Sequence, residues 1–300
     1  GEARNIVVQG GGVLNSFKIN AIDYEDNQHY FIGRYFLNNY DRALENYPQI
    51  NSRINISRIE VWVIDQGNSN LAYQKSIIGI RDLGEGASGT PDNDQNGLYQ
   101  AINTTIGPAR DPGVNYGDVL LGQTFPGSAT PYTNGEEFIF NKKARRLSAN
   151  EFTFQPQLGY ISLNQRLNDQ QLLAVSYSYT VNGSNQIFKV GEFSEESQVL
   201  VAKLLKSNST VNVTSPMWDL MMKNFYSLDA GQIDQDGFIL NINYRDPKTG
   251  GIVNYLPNTP VADRNLLKLL NWDRLNINGD LQTSNGTLGD GIFDFVNGIT

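Results

Sequence analysis

Two alternating runs of apolar and polar residues, joined by a tight polar turn, constrain the fold of this chain more than any other feature. Residues 172–181 alternate in their apolar positions, residues 182–185 read Asn-Gly-Ser-Asn, and residues 187–193 return with further apolar side chains. Successive side chains of a β-strand point to opposite faces, so a period of two is typical of a strand. Asn-Gly between two such runs is a strong hairpin signal. The sequence therefore predicts an antiparallel hairpin here.

Two more regions have β-strand patterns. Residues 56–65 alternate at their ends and are apolar on both faces in the middle, and residues 76–80 return after the turn cluster 66–70. This arrangement predicts a second hairpin. Residues 238–245 form a further strand that ends before Pro247, because proline removes a ladder donor. The 35 asparagines and 29 glycines agree with a turn-rich, helix-poor chain.

Helical periodicity is confined to a few short segments. Aromatic residues and leucine recur about every 3.6 residues before Pro48, which predicts a helix that ends there. Residues 194–197 resemble an N-cap with acidic residues in the first turn. The four predicted helices span residues 31–47, 195–205, 218–225 and 262–270.

The domain organisation follows from length and from one loop-rich stretch. Residues 84–135 are rich in Gly, Pro, Asn, Asp and Thr, which predicts long loops, an exposed flap or a domain junction. A chain of 300 residues suggests about two domains. We expect a β-rich subdomain over 1–150 with the helix 31–47 and this loop, and a second over 151–300 with the other three helices. The predicted fold class is mainly β with a few short helices, as β-sandwich or jelly-roll-like sheets plus long loops.

Charge and residue content exclude several function classes. The chain has 23 Lys and Arg against 31 Asp and Glu, a net charge of −8, whereas nucleic-acid binding relies on clustered cations. The absence of cysteine excludes disulfides, thiolate nucleophiles and cysteine metal sites. His29 is the single histidine, and we interpret it as a surface or helix-entry residue. G-x-S-x-G, P-loop and H-E-x-x-H motifs are absent. We therefore predict no catalytic residue, no enzymatic activity and no nucleic-acid partner.

One short motif has the spacing of a metal site. Asp92, Asp94 and Asn96, followed by Gly97, match the first half of an EF-hand-type loop, in which alternating oxygen side chains converge on a hard cation. The twelfth position is Asn103, so the bidentate closing glutamate is missing. The motif is therefore either a structural calcium site or a plain polar turn. Clustered Asp and Asn at 276–280 and 290–294 have the same two interpretations, and there we favour Asx-turns.

Other residue clusters point to alternative functions. Trp62, Trp218 and Trp272 could form a sugar-binding platform, although each lies in an apolar context that favours the core. The alternative function is thus a carbohydrate-binding β-sandwich module with structural calcium. A carboxylate-dependent hydrolase would need two opposed acids in a cleft. The basic cluster 142–146 could contact phosphates or an acidic partner, and a solvated face is the simpler interpretation.

Ten segments, taken in order, resemble one protein family. They begin with an Ile-Gly-Arg-Tyr-Phe motif and end with an Asp-Gly-Ile-Phe-Asp-Phe motif, and they extend from about residue 28 to 296. The segments are 31–41, 56–63, 82–85, 96–99, 161–164, 175–179, 190–193, 216–224, 272–276 and 290–295. In this order they resemble the SprA family, also called Sov, of cell-surface and gliding-motility proteins. This family forms the outer-membrane translocon of the type IX secretion system.

The resemblance implies a role in protein transport without chemistry. Members of the family are giant outer-membrane β-barrels that pass folded proteins to the cell surface, and they work with gating and plug proteins. The implied partners are therefore other parts of the same long chain, these gating and plug proteins and secreted cargo, at the outer membrane or cell surface. Because family members are many times longer than 300 residues, we expect this chain to be a piece of such a protein.

The resemblance leaves the position of this piece within the translocon to be argued from the residues. Barrel-wall strands should alternate strictly over about ten residues, and only 172–181 comes close. Irregular backbone exposed to lipid would leave its polar groups without partners. We therefore expect a water-exposed insert or attached segment, a cap over the barrel mouth or a periplasmic domain, rather than barrel wall.

Overall fold

A computed structural model of the chain describes most of its residues, and they form two compact units. The described ranges are 4–10, 13–65, 74–86, 89–95, 97–107, 109–121, 123–124, 133–207, 213–228, 233, 235, 237–281 and 288–296. Unit 1 comprises Gly1–Glu25, Leu44–Ile50 and Asn224–Thr300, and unit 2 comprises Asp26–Ala43 and Asn51–Lys223. The expected subdomain boundary at residue 150 falls inside unit 2, because strands from both sides of that residue share one sheet.

The predicted mainly-β class with a few short helices is confirmed. The strands are β1 Arg4–Gly10, β2 Val13–Phe17, β3 His29–Phe31, β4 Ile54–Asp65, β5 Gln74–Ile80, β6 Phe138–Arg146, β7 Phe152–Gln155, β8 Tyr160–Leu163, β9 Gln171–Val181, β10 Ile187–Val190, β11 Val199–Lys206, β12 Ile239–Ile242, β13 Tyr244–Arg245 and β14 Ile252–Val253. The helices are α1 Arg34–Ala43, α2 Leu98–Ile106, α3 Tyr116–Leu120, α4 Pro216–Leu220 and α5 Leu266–Leu269. None of the helices in the described ranges is long and apolar enough to cross a membrane.

The largest sheet, in unit 2, closes on itself. Its strands follow the order β9-β11-β5-β6-β4, and β4 pairs again with β9 to complete the ring. The β11–β5 pairing is parallel and the others are antiparallel. β10 adds to β9 at the end that β11 leaves free. We expected two sheets facing each other, and here a single sheet encloses the apolar core like a small β-barrel.

Three smaller sheets accompany the closed sheet. Unit 2 also contains the antiparallel sheet β3-β8-β7. Unit 1 contains the antiparallel sheet β12-β1-β2 and the two-stranded β13-β14 ribbon. The strand predicted over 238–245 is therefore present as β12 and β13, which belong to different sheets.

Of the two predicted hairpins, one is confirmed and one is wrong. β9 and β10 pair antiparallel, with Phe188 opposite Tyr179 and their rings stacked 5.4 Å apart. β4 and β5 lie close in sequence but are not neighbours in the sheet, because β6 is inserted between them and pairs with both. The turn cluster 66–70 between them lies outside the described residues.

The helix predicted over 195–205 is wrong, and the reason is burial. Residues 199–206 form β11, and all eight are buried. A strand buried on both faces has a continuous apolar run, which periodicity does not distinguish from a buried helix. The acidic turn 194–197, interpreted as a helix N-cap, instead precedes this strand and forms ion pairs.

The other predicted helices exist but are shorter, and the loop 84–135 holds two more. Residues 31–47 contain α1, 218–225 overlap α4, and 262–270 contain α5. α4 begins early because Ser215 caps it and Pro216 occupies its first turn. α2 and α3 both lie within 84–135, so that segment is more regular than its composition suggested.

Each unit has its own apolar core. In unit 2, Trp62 of β4 lies with Ile77 and Leu204 inside the closed sheet. In unit 1, Phe238 and Leu240 pack against aromatic rings that include Phe293 and Phe295. Burying such side chains contributes about 1.5–3 kcal/mol each, and these clusters therefore account for much of the stability of the two units.

Candidate functional site

The predicted metal loop is a compact turn in unit 2. The Asp92 carboxylate accepts a 2.9 Å hydrogen bond from Asp94 N, and the Asp94 carboxylate accepts one from the Gln100 side chain. Asn96 lies outside the described residues. Among the described residues, no group of three or more carboxylate, histidine or cysteine side chains is placed to hold a metal ion. A site that uses two carboxylates and an asparagine is not tested by this, so the calcium site stays a prediction.

Asn93, which the sequence did not single out, anchors this turn to the sheet. It is buried, and its backbone N–H donates to Lys189 O of β10 at 3.0 Å. Its side-chain amide donates to Gly191 O at 3.3 Å and accepts from Gly191 N at 2.7 Å. The turn therefore adds to the edge of β10 and fixes the backbone where that strand ends.

A buried ion pair lies beside this anchor. Both guanidinium nitrogens of Arg110 donate to the Glu192 carboxylate, at 2.6 and 2.8 Å, and the two side chains are 1% and 5% exposed. Tyr99 OH donates to the same carboxylate at 2.6 Å. Burial lowers the pKa of Arg110, but the hydrogen bonds to Glu192 outweigh it and leave the pKa raised. Such charge-assisted bidentate bonds are among the strongest in proteins.

Glu192 lies near the point where β9 changes its pairing partner from β11 to β10. β9 pairs with β10 through residues 177–180 and with β11 through residues 173–175, so Val201 of β11 lacks a backbone partner on that side. Val201 N donates to the Glu192 carboxylate at 2.9 Å, and Glu192 N donates to Val201 O at 2.8 Å. Glu192 thus satisfies backbone groups that would otherwise be buried without partners.

A second charged cluster is built around Lys203, which is fully buried on β11. Its ammonium lies 2.7 Å from the Glu85 carboxylate and also donates to Arg81 O. Arg34 Nε lies 2.7 Å from the other Glu85 oxygen as an ion pair without hydrogen-bond alignment, and Arg34 Nη2 contacts Asp82 at 2.7 Å. Burial lowers the pKa of Lys203, opposed by Glu85. The cluster joins α1, the turn after β5, and β11.

Unit 1 has a corresponding pair of buried carboxylates. Asp273 accepts a 3.0 Å hydrogen bond from Gly291 N, and Asp294 accepts bonds from Arg274 N and Leu275 N at 2.6 and 3.1 Å. Burial raises the pKa of both aspartates. Residues 273–275 and residues 291–294 are therefore held together by hydrogen bonds in which a carboxylate of each segment accepts from backbone N–H groups of the other. The favoured Asx-turns within 276–280 and 290–294 are confirmed.

Several other sequence predictions can be compared with the structure. His29 is buried on β3, with Nδ1 2.8 Å from Ser162 Oγ, so its interpretation as a surface residue is wrong. In the basic cluster, Arg145 pairs with Glu151 and Arg146 with Glu60, so these cations contact acidic partners within the chain.

The three tryptophans differ in exposure. Trp62 is buried in the core of the closed sheet, as favoured. Trp218 and Trp272 are half-buried, and Trp272 meets Phe293 edge to face. Trp218 has the ammonium of Lys223 4.6 Å from its ring centroid. The sugar-binding alternative needs a flat exposed platform, and the described tryptophans do not form one.

Most residues of the charged clusters come from the segments that carry the family resemblance. These residues are Arg34, Asp82, Glu85, Tyr99, Glu192, Asp273, Arg274 and Asp294. Six of the ten segments therefore share a structural task, since each of the six supplies a charged or polar group that fixes a strand end or turn. The segments are visible in the sequence, whereas Arg110 and Lys203 complete the clusters from outside them and carry no sequence signal of this role.

Comparison with known proteins supports the resemblance. Residues 2–102 match the family model SprA_N, described as a motility related/secretion protein. No curated protein matches the chain. The matched third contains Arg34, Asp82, Glu85 and Tyr99 of the two charged clusters in unit 2. Residues 2–102 are therefore similar to the SprA_N family of motility related/secretion proteins, in agreement with the resemblance found in the sequence.

Proposed function

We propose that this chain is a non-enzymatic structural part of a protein-conducting outer-membrane translocon that serves type IX secretion and gliding motility. The observation that carries the proposal is the SprA_N match over residues 2–102. Within the translocon we assign the chain to a water-exposed cap or periplasmic domain at the outer membrane. Its partners are the remainder of the same long chain, the gating and plug proteins and the secreted cargo.

The use of charge in unit 2 supports a structural role. Glu85 and Glu192 are nearly buried, and each is held by a cation at 2.6–2.8 Å. A general acid or base needs a proton that can be exchanged with a substrate, whereas these carboxylates are engaged with Lys203, Arg34 and Arg110. Buried pairs of this kind hold strand ends and turns in one arrangement, which suits a part that must keep its shape while cargo passes.

Deletion of the chain in the source cells tests the function. We expect removal of residues 1–300 from the chromosomal gene to abolish gliding and to leave secretion substrates inside the envelope. The intact gene, returned on a plasmid, is the control and should restore both. Normal surface display of cargo in the deletion strain would contradict the proposal.

Epitope insertion tests the position in the envelope. The turn 182–186 between β9 and β10 is exposed and accepts an insertion without breaking a strand. We expect antibody labelling of this tag on intact cells for a cap, and only after permeabilisation for a periplasmic domain. A matched tag at the exposed turn 247–250 in unit 1 should behave alike. Labelling on neither cell preparation, with the tagged protein present by immunoblot, would contradict a water-exposed position.

A further inference from the structure

Two of the three methionines of the chain line one cavity. The chain has three methionines, and they occur together at 217, 221 and 222. Met217 and Met221 line a cavity of about 280 Å³ in unit 2, whereas Met222 does not. Methionine is flexible and polarizable, and it is over-used at surfaces that accept varied partners. Its concentration here marks the cavity as an adaptable binding site.

Apolar and polar groups divide the wall of this cavity. Tyr30, Leu205 and Trp218 complete the apolar part with the two methionines. Ser207, Thr214 and Ser215 contribute hydroxyl groups to the remainder. A wall that is part apolar and part polar suits a ligand that inserts an apolar group and places a polar backbone beside it.

The wall of this cavity contains a buried cation, Lys206. Lys206 is 8% exposed, and its ammonium donates to three backbone carbonyl groups: Gln171 O at 2.7 Å, Asn168 O at 3.1 Å and Asp169 O at 3.5 Å. Asp169 acts on this ammonium electrostatically, but no carboxylate of the described residues lies within the 4.0 Å of an ion pair. The other two charged residues of the wall count for less, because Arg81 is paired with Asp82 at 2.7 Å and Glu136 is exposed. Buried charges are screened much less than exposed ones, so the cavity attracts an anionic group.

We propose that this cavity docks a segment of a partner polypeptide, which inserts one large apolar side chain beside a carboxylate. The proposal rests on the proposed function, because a translocon component meets cargo and partner chains. The volume lies just below the range of about 300–1,000 Å³ that is usual for small-molecule pockets. A single large side chain is the kind of anchor that dominates protein interfaces, and the charge of Lys206 selects an acidic neighbour.

Methyl NMR of the three methionines tests the proposal directly. The 300-residue chain, labelled at the methionine methyl groups, gives two reporters in the cavity and one internal control, Met222. The probes are N-acetylphenylalanine, which carries a carboxylate, and N-acetylphenylalaninamide, which does not. We expect the methyl chemical shifts of Met217 and Met221 to change saturably with probe concentration, and that of Met222 to stay constant. The acid should bind with a dissociation constant of about 1 mM, because one side chain makes few contacts, and at least several-fold more tightly than the amide.

Three variants separate the cavity from nonspecific effects. Ser207→Trp fills the cavity and should abolish the shifts, and Thr214→Trp does the same from an exposed position if the first variant does not fold. Val213→Trp, next in sequence, exposed and outside the wall, should bind like the wild type. Lys206→Gln keeps N–H donors for the backbone carbonyl groups but removes the charge, so the acid and the amide should bind this variant with equal affinity.

Several results would overturn the docking site. They are equal affinity of the wild type for acid and amide, shifts at all three methionines, and binding retained by a folded cavity-filling variant. None of these outcomes bears on gliding or cargo display in the deletion strain, so failure of the cavity and failure of the translocon role are distinguishable.

Discussion

At the scale of single residues, the pair of Arg110 and Glu192 carries the largest expected effect. Both side chains are almost without solvent contact, and removing one partner leaves the other charge buried and unpaired. We expect Arg110→Met to lower the free energy of unfolding by about 3–5 kcal/mol. Urea denaturation of the wild type and the variant measures this difference.

Arg166→Met is the matched control for that substitution. Arg166 pairs with Asp26 at 2.6 Å, but the two side chains are 61% and 37% exposed. An exposed pair contributes about 0–1 kcal/mol, so this variant should unfold nearly like the wild type. If the two arginine variants lost similar stability, burial would not be what makes the Arg110 pair important.

Titration of Asp273 should make the free energy of unfolding depend on pH with a sign opposite to that of an ordinary ion-paired carboxylate. Burial raises the pKa of Asp273, so the folded chain holds this proton more tightly than the unfolded chain does. Its stabilising contribution is greatest below the ordinary aspartate pKa and is lost as the pH rises through the raised value. We expect the unfolding free energy of the wild type to fall relative to Asp273→Asn as the pH rises above about 4, the ordinary aspartate pKa, and through the raised value.

Asp246 provides the control for this titration within the same unit. Backbone and side-chain hydrogen bonds from Lys248 and Thr249 lower the pKa of Asp246. Its contribution is therefore present above the ordinary aspartate pKa and is lost as the pH falls. The unfolding free energy of the wild type should therefore rise relative to Asp246→Asn as the pH increases. A pH slope of the same sign for Asp246→Asn and Asp273→Asn would contradict these two pKa shifts.

The predicted calcium site at Asp92, Asp94 and Asn96 leads to a prediction about thermal stability. A ligand that binds only the folded chain raises the melting temperature by mass action. Calcium should therefore raise the Tm of the wild type relative to EDTA, and Asp92→Ala should remove the difference while leaving the fold intact. Equal melting temperatures of the wild type in calcium and in EDTA would eliminate the site.

At the scale of elements, the junction between β10 and β11 depends on a glycine. Gly191 has φ of 79°, and an added Cβ would collide with Ser176 Oγ and lie 3.0 Å from its Cβ. Gly183 has nearly the same φ, 81°, with open space around it. Gly183→Ala should cost about 1–2 kcal/mol for the backbone conformation alone. Gly191→Ala should cost about 1–3 kcal/mol more for overpacking, and equal losses in urea denaturation would contradict this packing.

The same elements explain which parts of the fold could be predicted from sequence. The β9–β10 hairpin was predictable, because alternation and its Asn-Gly turn are both local. β11 was not, since its buried run has no period and the polar residues 194–197 imitate a helix cap. The insertion of β6 between β4 and β5 was also hidden, because it depends on pairings formed across 58 residues or more.

The charged clusters were predictable only in part, for a related reason. Motif segments pointed to Glu85 and Glu192, but a sequence does not state which cation reaches them. Arg110 lies 82 residues from Glu192, and Lys203 lies on a strand that was predicted to be helical. The identity of such partners is decided by how the closed sheet brings its strands together.

At the scale of the whole molecule, we expect the 300-residue chain to behave as a water-exposed part of the translocon. Its largest apolar clusters lie inside the two units rather than on their surfaces. Expressed alone without detergent, it should give a monomer by size-exclusion chromatography and a cooperative thermal transition. Aggregation that only detergent or the rest of the protein relieves would indicate that these strands belong to the barrel wall or depend on it.

The closed sheet also has a consequence for the order of events during synthesis. β4 cannot pair with β9 until β9 has been synthesised, more than 100 residues later in the chain. The ring stays incomplete until residue 206, the end of β11, has been made. Until then, unpaired strand edges are available to other chains. Pairings so distant in sequence fold slowly. A growing polypeptide of this kind therefore needs a holdase chaperone for as long as its last strand is missing.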